Sequence, residues 1–320
     1  MILNILPNSG AGNSLPATGS ILTIAENGCL PGIIALTFGW EAISLEFIDD
    51  KEKVTTFGAC RIGPKIVLLP HFSYGPSPGP GVASEVMKAL REKGYSCEWR
   101  LIEKVSEYTF TDKVTTLLPL LSDVDQQFSR LGTNLRRKIR KCVSNGISVR
   151  KGKLELLPDF YKIYSRNMHR LGSPALPYRW FANLLTRYSQ GEVAIWCSYL
   201  DDKPVGAAFI LGYQGFFEAC WFSTLTKYNR LYISYGLYWE LIRYAVEQNG
   251  NHFSFGRSSA GSGVHKFKQQ WGGFDMPLVW NYSHPQGKNI RKFTFLSTLW
   301  KLLPYRVAQL LGPVFASKLY

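Results

Sequence analysis

The stretch Phe253-Ser-Phe-Gly-Arg-Ser-Ser-Ala-Gly-Ser-Gly-Val-His-Lys-Phe-Lys-Gln-Gln-Trp-Gly272 gathers more reactive side chains than any other part of the 320-residue chain. The apolar run His252 to Phe255 reads as a strand that delivers Gly256, Arg257 and Ser258 at its end. Gly261 and Gly263 permit close backbone approach, and a short helix then presents His265, Lys266 and Lys268, the kind of strand-loop junction where active sites are built. Arg257 beside backbone amides suits a phosphate or carboxylate held by two parallel hydrogen bonds. The glycine spacing fits neither a Walker loop nor a dinucleotide-binding fingerprint. Ser258, Ser259, Ser262 and His265 crowd together, but there is no GxSxG elbow and no acidic partner close by in sequence, which argues against a serine hydrolase. His265 reads instead as an acceptor-positioning or helix-capping residue. Asp275 and Glu240 are carboxylates available as bases, with nothing in the sequence to choose between them. Trp271 and Phe267 read as core.

Metal chemistry finds no support. The six cysteines (Cys29, Cys60, Cys97, Cys142, Cys197, Cys220) form no CxxC pair and are read as reduced thiols; the five histidines form no HExxH-type pair. Charge is more informative. The 37 basic and 23 acidic residues leave +14, a field that favours phosphates in a nucleic acid, an anionic lipid or a nucleotide-linked substrate. Between Gln126 and Leu154 there are nine basic residues and no acidic one. Within this segment Phe128, Leu131, Leu135, Ile139 and Val143 recur at helical spacing, so a single amphipathic helix from Asp123 to Asn145 is expected, closed by Gly146. Its Arg136, Arg137 and Arg140 lack the interspersed glutamates that would support a merely solvated helix, which points to a polyanionic partner.

The elements that must position these residues come in two sets. From Ile21 to about Arg100 the runs ILTIA, IIALTF, AISLEFI, VTTFGACRI and KIVLLP have strand signatures. Pro70 to Val82 holds four prolines and three glycines, a long ordered loop whose Tyr74 and His71 are candidates to face a ligand, or else a plain surface crossover. A helix from Ser84 to Gly94 follows, with Ser84 as N-cap. The second set comprises helices at Leu157 to Leu171 and Tyr178 to Tyr188 and strands at Val193 to Tyr199, Val205 to Gly212 and Phe216 to Ser223. An Asp201-Asp202-Lys203-Pro204 hairpin joins the first two strands, and a helix from Tyr235 to Gln248 precedes the strand at His252. This order reads as one acetyltransferase-type (GNAT-like) module, and the first half is compatible with a second copy, although no residue-level repeat is visible.

On these residues the chain resembles the FemAB/FemX peptidyltransferase-like family, and more closely its exosortase (PEP-CTERM) and exopolysaccharide-associated branch. FGRSSAGSGVHKFKQQWG is similar to the family's C-terminal signature, TNLRRKIRKCVSNGISV to its basic helix, Met168-His-Arg-Leu-Gly-Ser-Pro174 to the following helix and turn, and Leu237-Tyr-Trp-Glu240 to a late helix. The likeness runs from about Leu117 to Tyr282, and Tyr232-Ile-Ser-Tyr235 departs from the family's Pro-Asn type turn. The resemblance implies an α+β fold of two tandem GNAT-like subdomains with mixed, largely antiparallel sheets flanked by helices and a cleft between them. The subdomains would be residues 1–145 and 146–285, with 286–320 as a helical tail. It further implies transfer of an acyl or aminoacyl group from acyl-CoA or aminoacyl-tRNA, as co-substrate and with no bound cofactor, to an amine of a peptidoglycan, exopolysaccharide or lipid-linked precursor. Phe267-Lys268 matches the family's Phe-Lys pair, so Lys268 is implied as the catalytic oxyanion donor. Arg257, Ser258, His265, Arg136, Arg137, Arg140 and Tyr74 are the expected substrate-binding residues.

The tail adds an expectation of its own. Phe293, Leu296, Leu299, Trp300 and Leu303 make an apolar face flanked by Arg291, Lys292 and Lys301, and Val307, Ala308, Leu310 and Leu311 follow Pro304. The first helix is expected to pack on the first subdomain and the second to meet an anionic membrane surface. With neither a spanning apolar run nor a basic, apolar leader, the expected location is cytoplasmic, peripheral to the inner membrane face. A basic nucleic-acid-binding protein and a non-catalytic membrane-peripheral scaffold are the competing classes.

Overall fold

A computed structural model describes residues 1–8, 21–285 and 294–317. The strands, in chain order, are β1 (Ile2–Pro7), β2 (Glu41–Ile48), β3 (Val54–Ile62), β4 (Lys65–Leu68), β5 (Ser96–Leu101), β6 (Tyr108–Pro119), β7 (Ser148–Gly152), β8 (Glu192–Leu200), β9 (Lys203–Tyr213), β10 (Phe216–Thr224), β11 (His252–Ser259) and β12 (Phe274–Tyr282). The helices are α1 (Leu30–Phe38), α2 (Pro80–Glu92), α3 (Val124–Arg130), α4 (Thr133–Ser144), α5 (Leu157–Leu171), α6 (Tyr178–Arg187), α7 (Ile233–Glu247), α8 (Gly263–Gln269), α9 (Thr294–Leu302) and α10 (Tyr305–Ser317).

All twelve strands join one sheet in the order β1-β2-β3-β4-β5-β12-β6-β11-β10-β9-β8-β7. The order is palindromic in kind. β1 to β4 form an antiparallel meander followed by β5 parallel to β4, and β7 to β10 repeat the meander with β11 parallel to β10. Each parallel pair is bridged by a helix, α2 in one half and α7 in the other, as a parallel connection requires. The two halves then exchange their last strands: β6 pairs with β11, β12 pairs with β5, and β6 and β12 pair with each other. The duplication inferred from element order is thus a property of the hydrogen-bond ladder.

Among the described residues three large apolar cores flank the sheet, with a small fourth around Cys142, Ile147, Val205 and Ile233. α1, α5 and α6 cover one face across both halves, with Trp180, Phe181, Phe160 and Phe209 fully buried. α2 covers the opposite face of the first half, and α3, α4 and α7 that of the second. Asn183 Nδ2 donates to Thr37 Oγ1 (2.9 Å), tying α6 to α1, and just outside the two helices Asn27 Nδ2 donates to the Ser189 carbonyl (2.7 Å).

Several local expectations are corrected. The ILTIA and IIALTF runs are not strands: Ile24–Glu26 is a turn of 3-10 helix capped by Thr23, and Leu30–Phe38 is α1, started by Pro31 and stopped by Gly39 at φ +72°. The helix expected at Ser84 begins at Pro80, so Ser84 caps nothing. The expected helix from Asp123 to Asn145 is broken at Leu131-Gly132 into α3 and α4; Leu131, Leu135 and Ile139 are buried as expected, but Val143 is exposed. The Pro/Gly loop is not a surface crossover, since Phe72, Ser73 and Tyr74 are buried. It closes over the end of the β4–β5 pair: Gly75 N–H donates to the Arg100 carbonyl (2.8 Å), Trp99 Nε1 to the Pro76 carbonyl (3.0 Å) and Arg100 Nη1 to the Phe72 carbonyl (2.7 Å). Where it is described, the tail packs on α5, in the second half, where packing on the first subdomain was expected. Phe293, Arg291 and Lys292 lie outside the described residues.

The α4–α7 contact depends on a missing side chain. A Cβ added to Gly236 would lie 2.5 Å from Cys142 Sγ. Gly236→Val is therefore expected to lower stability by about 1–3 kcal/mol through overpacking. Gly32→Ala, in α1 with nothing within 4 Å of the added carbon, is expected to be neutral or slightly stabilising; urea unfolding of the two variants checks both.

Candidate active site

The site forms where one ladder stops. β10 and β11 pair over only three residue pairs, Phe216 with His252, Phe217 with Phe253 and Glu218 with Ser254. Beyond them β10 shifts register against β9 between Ala219 and Trp221, and β11 shifts against β6 between Ser254 and Arg257. Bulges re-aim side chains and end pairing, and here two face each other. Gly256 sits in the second one at φ +66°, and a Cβ there would lie 2.9 Å from the Ala219 carbonyl oxygen, so only glycine fits.

The bulge turns the Gly256 and Arg257 carbonyls toward α8. Lys268 Nζ donates to Gly256 O (2.7 Å) and to Arg257 O (3.2 Å), and the side chain is only 4% exposed. Burial pushes its pKa from the ordinary lysine value down to about 7; the nearby Glu218 charge works against that fall and Arg257 adds to it. An ammonium has three N–H donors, so two carbonyls leave one free to point elsewhere.

Glu218 was not among the expected residues. It is fully buried, accepting from Ser73 Oγ (2.9 Å) and Ser254 Oγ (3.1 Å) and from Tyr74 Oη in a short hydrogen bond. Burial raises its pKa, while the three hydroxyls and the Lys268 charge oppose the rise. Ser254 also bonds Thr115 Oγ1 (3.0 Å) and accepts from Gly256 N–H (3.1 Å), so the network runs from the first half's loop into the bulge beneath Lys268. Sequence did hold a signal: Glu218 is the lone carboxylate in Phe216-Phe-Glu-Ala-Cys-Trp221, an otherwise apolar strand. Tyr74 accordingly lies inside this network rather than facing open space.

His265 has an acidic partner after all, brought by the fold. Its Nδ1 accepts from Gly261 N–H (3.0 Å), so Nε2 carries the proton and donates to Asp275 Oδ2 (2.8 Å). Asp275 also accepts from Thr116 Oγ1 and Gln269 Nε2 (both 2.7 Å). Although burial works to raise it, these bonds hold its carboxyl below the usual range. Both ring nitrogens are engaged, so the pair holds the glycine loop and α8 against β12 and β6. Ser258 is buried, with Oγ lacking a hydrogen-bond partner among the described residues; Arg257 is exposed, its guanidinium 5.5 Å from the Trp280 ring centre. Glu240 pairs with Arg243 on α7, away from this network.

The basic helix reaches the site through Tyr235. Lys138 Nζ donates to Tyr235 Oη (2.9 Å), and the Tyr235 ring packs edge-on against Phe267, one residue before Lys268. Arg137 is exposed, bonding only Asn134 of its own helix, and Arg140 lies over the Phe128 ring, while Arg136 is half-buried beside Thr133. The structure brings Lys268, Arg257, Ser258, His265 and Tyr74 into one region, and of the basic helix it is Lys138, through Tyr235, that reaches it. All six cysteines are free, and among the described residues no group of His, Cys, Asp or Glu could hold a metal ion.

Residues 129–269 match the family described as an acetyltransferase (GNAT) domain. No curated protein sequence matches the chain. Among solved structures, FemX is similar over 85% of this chain and 93% of its own, with a TM-score of 0.58 and 11% identity. A tandem GNAT protein from the clavulanic acid biosynthesis pathway is similar over 89% and 100%, with 0.51 and 8%. The C-terminal domain of a protein described as a lysylphosphatidylglycerol synthetase, from Agrobacterium fabrum, is similar over 81% and 84%, with 0.50 and 10%. The family match is confined to residues 129–269, and the fold as a whole is similar to that of FemX and of the tandem GNAT protein. The protein is an acyl-transferring enzyme by class.

Lys268 makes stability depend on pH in a definite direction. Its folded pKa of about 7 lies below that of an unfolded lysine, so between the two values the unfolded chain binds the extra proton. Stability therefore rises as pH rises from 7 toward 10 and falls as pH returns through 7. In urea unfolding at both ends of that window, wild type should gain a few kcal/mol relative to Lys268→Met, which has no amine to titrate.

Proposed function

We propose that the protein transfers an acyl or aminoacyl group from an activated donor, aminoacyl-tRNA or acyl-CoA, to an amine of a cell-envelope precursor on the cytoplasmic side. The observation that carries this reading is Lys268: an ammonium buried at the end of a parallel strand pair, with two donors fixed on carbonyls and one left for an incoming oxygen. In the reaction the acceptor nitrogen attacks the donor carbonyl carbon and the C–N bond forms. The carbonyl oxygen takes the electron pair as an oxyanion, and collapse breaks the C–S or C–O bond. The amine's proton ends on the departing thiol or hydroxyl. The free Lys268 N–H stabilises the oxyanion, a contribution of roughly 3–4 kcal/mol for one well-placed donor. Glu218 keeps a compensating charge nearby without touching the reacting atoms, and the hydroxyls of Ser73, Tyr74 and Ser254 hold it there. Ser258 Oγ and Arg257 are the groups at hand to orient the substrates.

The donor side follows the basic flank. Lys138 bonds Tyr235 in the first turn of α7, and the chain just before that helix carries Lys227 and Arg230, so cations and a helix N-terminus are available to a phosphate-bearing donor. The clavulanic-pathway structure is described as being without AcCoA, wording that supports acyl-CoA as a donor to consider; the likeness to FemX and to a lysylphosphatidylglycerol synthetase supports an aminoacyl donor and an envelope or lipid acceptor. Peptidoglycan, exopolysaccharide and lipid-linked amines are the acceptor classes this reading takes in. It also takes residues 1–145 and 146–285 as the two subdomains and 286–320 as the tail.

Lys268→Ala should lower turnover by about a hundredfold or more with the fold kept, as circular dichroism would show, and Lys268→Arg should not restore it. With the ammonium as the working form, kcat/KM of the wild type should decline as pH rises through about 7. A rise over that range would make Lys268 a base, and undiminished turnover in the alanine variant would remove it from the mechanism. Transfer assays with charged tRNA and with acyl-CoA in parallel supply the readout.

Replacing Arg136, Arg137 and Arg140 together by Gln should weaken donor binding and flatten its dependence on salt, because each lost phosphate contact reduces the slope by about one. Binding titrations with tRNA and CoA at several salt concentrations check this. Unchanged donor affinity with weakened acceptor binding would move the helix to the acceptor side.

A further inference from the structure

α9 and α10 are amphipathic in an inverted sense. On α10 the residues facing the protein are small: Ala308, Gly312 and Ala316 are buried at a four-residue spacing, and a Cβ on Gly312 would lie 3.0 Å from the Ala175 backbone. Its large apolar residues Val307, Leu310 and Val314 form the opposite, exposed stripe, as Phe295, Leu299 and Leu302 do on α9. Leu302 and Leu310 are 75% and 78% exposed. A helix that packs on a soluble protein normally buries its large apolar side chains and exposes its polar ones. Here the docking is nonetheless secure. Ser165 Oγ and Tyr305 Oη are 2.8 Å apart, His169 Nε2 lies 2.9 Å from the Leu303 carbonyl, and Trp300 meets Phe315 edge-on, joining the two helices.

Charge indicates what covers this face. From Met276 to Tyr320 the sequence carries Lys288, Arg291, Lys292, Lys301, Arg306 and Lys318 and no acidic residue. Lys301 and Arg306 belong to the two helices, and the neighbouring α5 adds exposed Arg166 beside Tyr305 and Arg170. Large exposed apolar side chains rimmed by cations are the pattern of a surface seated at the headgroup boundary of an anionic bilayer. A second copy of the chain fits less well, because a self-complementary contact would bring the Lys301 and Arg306 of both copies together.

We propose that α9 and α10 form a membrane-docking surface that inserts the Leu302 and Leu310 stripes into the interface of an anionic lipid bilayer. This is independent of which group the enzyme transfers. The test is flotation of the full chain with vesicles of phosphatidylcholine alone and of phosphatidylcholine and phosphatidylglycerol in equal parts. Binding is expected to the mixed vesicles, weaker to the neutral ones, and reduced by salt. The double variant Leu302→Asp with Leu310→Asp should keep the wild-type melting temperature, since both side chains are exposed, and lose vesicle binding at least about tenfold. Lys301→Gln with Arg306→Gln should weaken binding to the anionic vesicles by about fivefold per charge and leave the neutral ones unaffected. Vesicle binding undiminished in the aspartate variant overturns the proposal. So does a wild-type dimer that floats with neither vesicle and becomes monomeric in that variant, an outcome that would make the face a contact between copies.

Discussion

A parallel pair of strands that stops bonding after three residues leaves backbone carbonyls with no partner in the ladder, and buried carbonyls must find donors elsewhere. Here the donor is the Lys268 ammonium. Its place on the Gly256 and Arg257 oxygens fixes its position, its burial and its lowered pKa at once. Glu218 follows from the same constraint. A cation taken this far out of water needs a counter-charge, and a carboxylate buried for that purpose needs hydroxyls of its own. Ser254 meets both demands because it stands at the last paired position and donates to Glu218 while accepting from Gly256. The site is therefore one connected polar network running from Lys268 through Gly256 and Ser254 to Glu218.

The first half repeats the strand order but treats its own parallel pair differently. Past β4 the chain folds back on itself, and the loop from Leu69 to Gly79 satisfies the Arg100 and Trp99 side chains and the Arg100 carbonyl where the second half has its bulges. The same loop sends Ser73 and Tyr74 across to Glu218. One half is thus closed by its own backbone and lends two hydroxyls to the other, which gives the duplicated architecture a division of labour.

Legibility in the sequence tracked the range of the forces involved. Where period and turn chemistry act locally, as in the Asp201-Asp202 hairpin with both residues at positive φ, the elements fall as expected. Ile33 to Phe38 misled because a short apolar run is equally consistent with a buried strand and a buried helix; Pro31 and Gly39 were the deciding punctuation. Gly132 broke the long basic helix for a similar reason, as an N-cap inside an uninterrupted hydrophobic period. The loop carrying Lys268 stood out from residue types alone. Its partners Glu218, Ser254 and Tyr74 did not, since contacts across 36 to 144 residues of chain are set by sheet order, which no local pattern encodes. The pairing of His265 with Asp275 was hidden despite its short separation, because it depends on how α8 turns back to β12.

The exchange of β6 and β12 also dictates a timetable. β5 has β4 on one side and, on the other, only β12, a strand much further along the chain. Until Phe274–Tyr282 emerges, a growing chain holds the edge of Ser96–Leu101 open, with unpaired amides and carbonyls inviting the wrong strand. β6 waits likewise for β11. The central ladder joins strands far apart in sequence, so its pairing carries a larger loop-closure cost than the outer meanders do. Contacts this distant in sequence make for slow folding. They also place the completion of the Lys268 site at the same moment as the completion of the sheet.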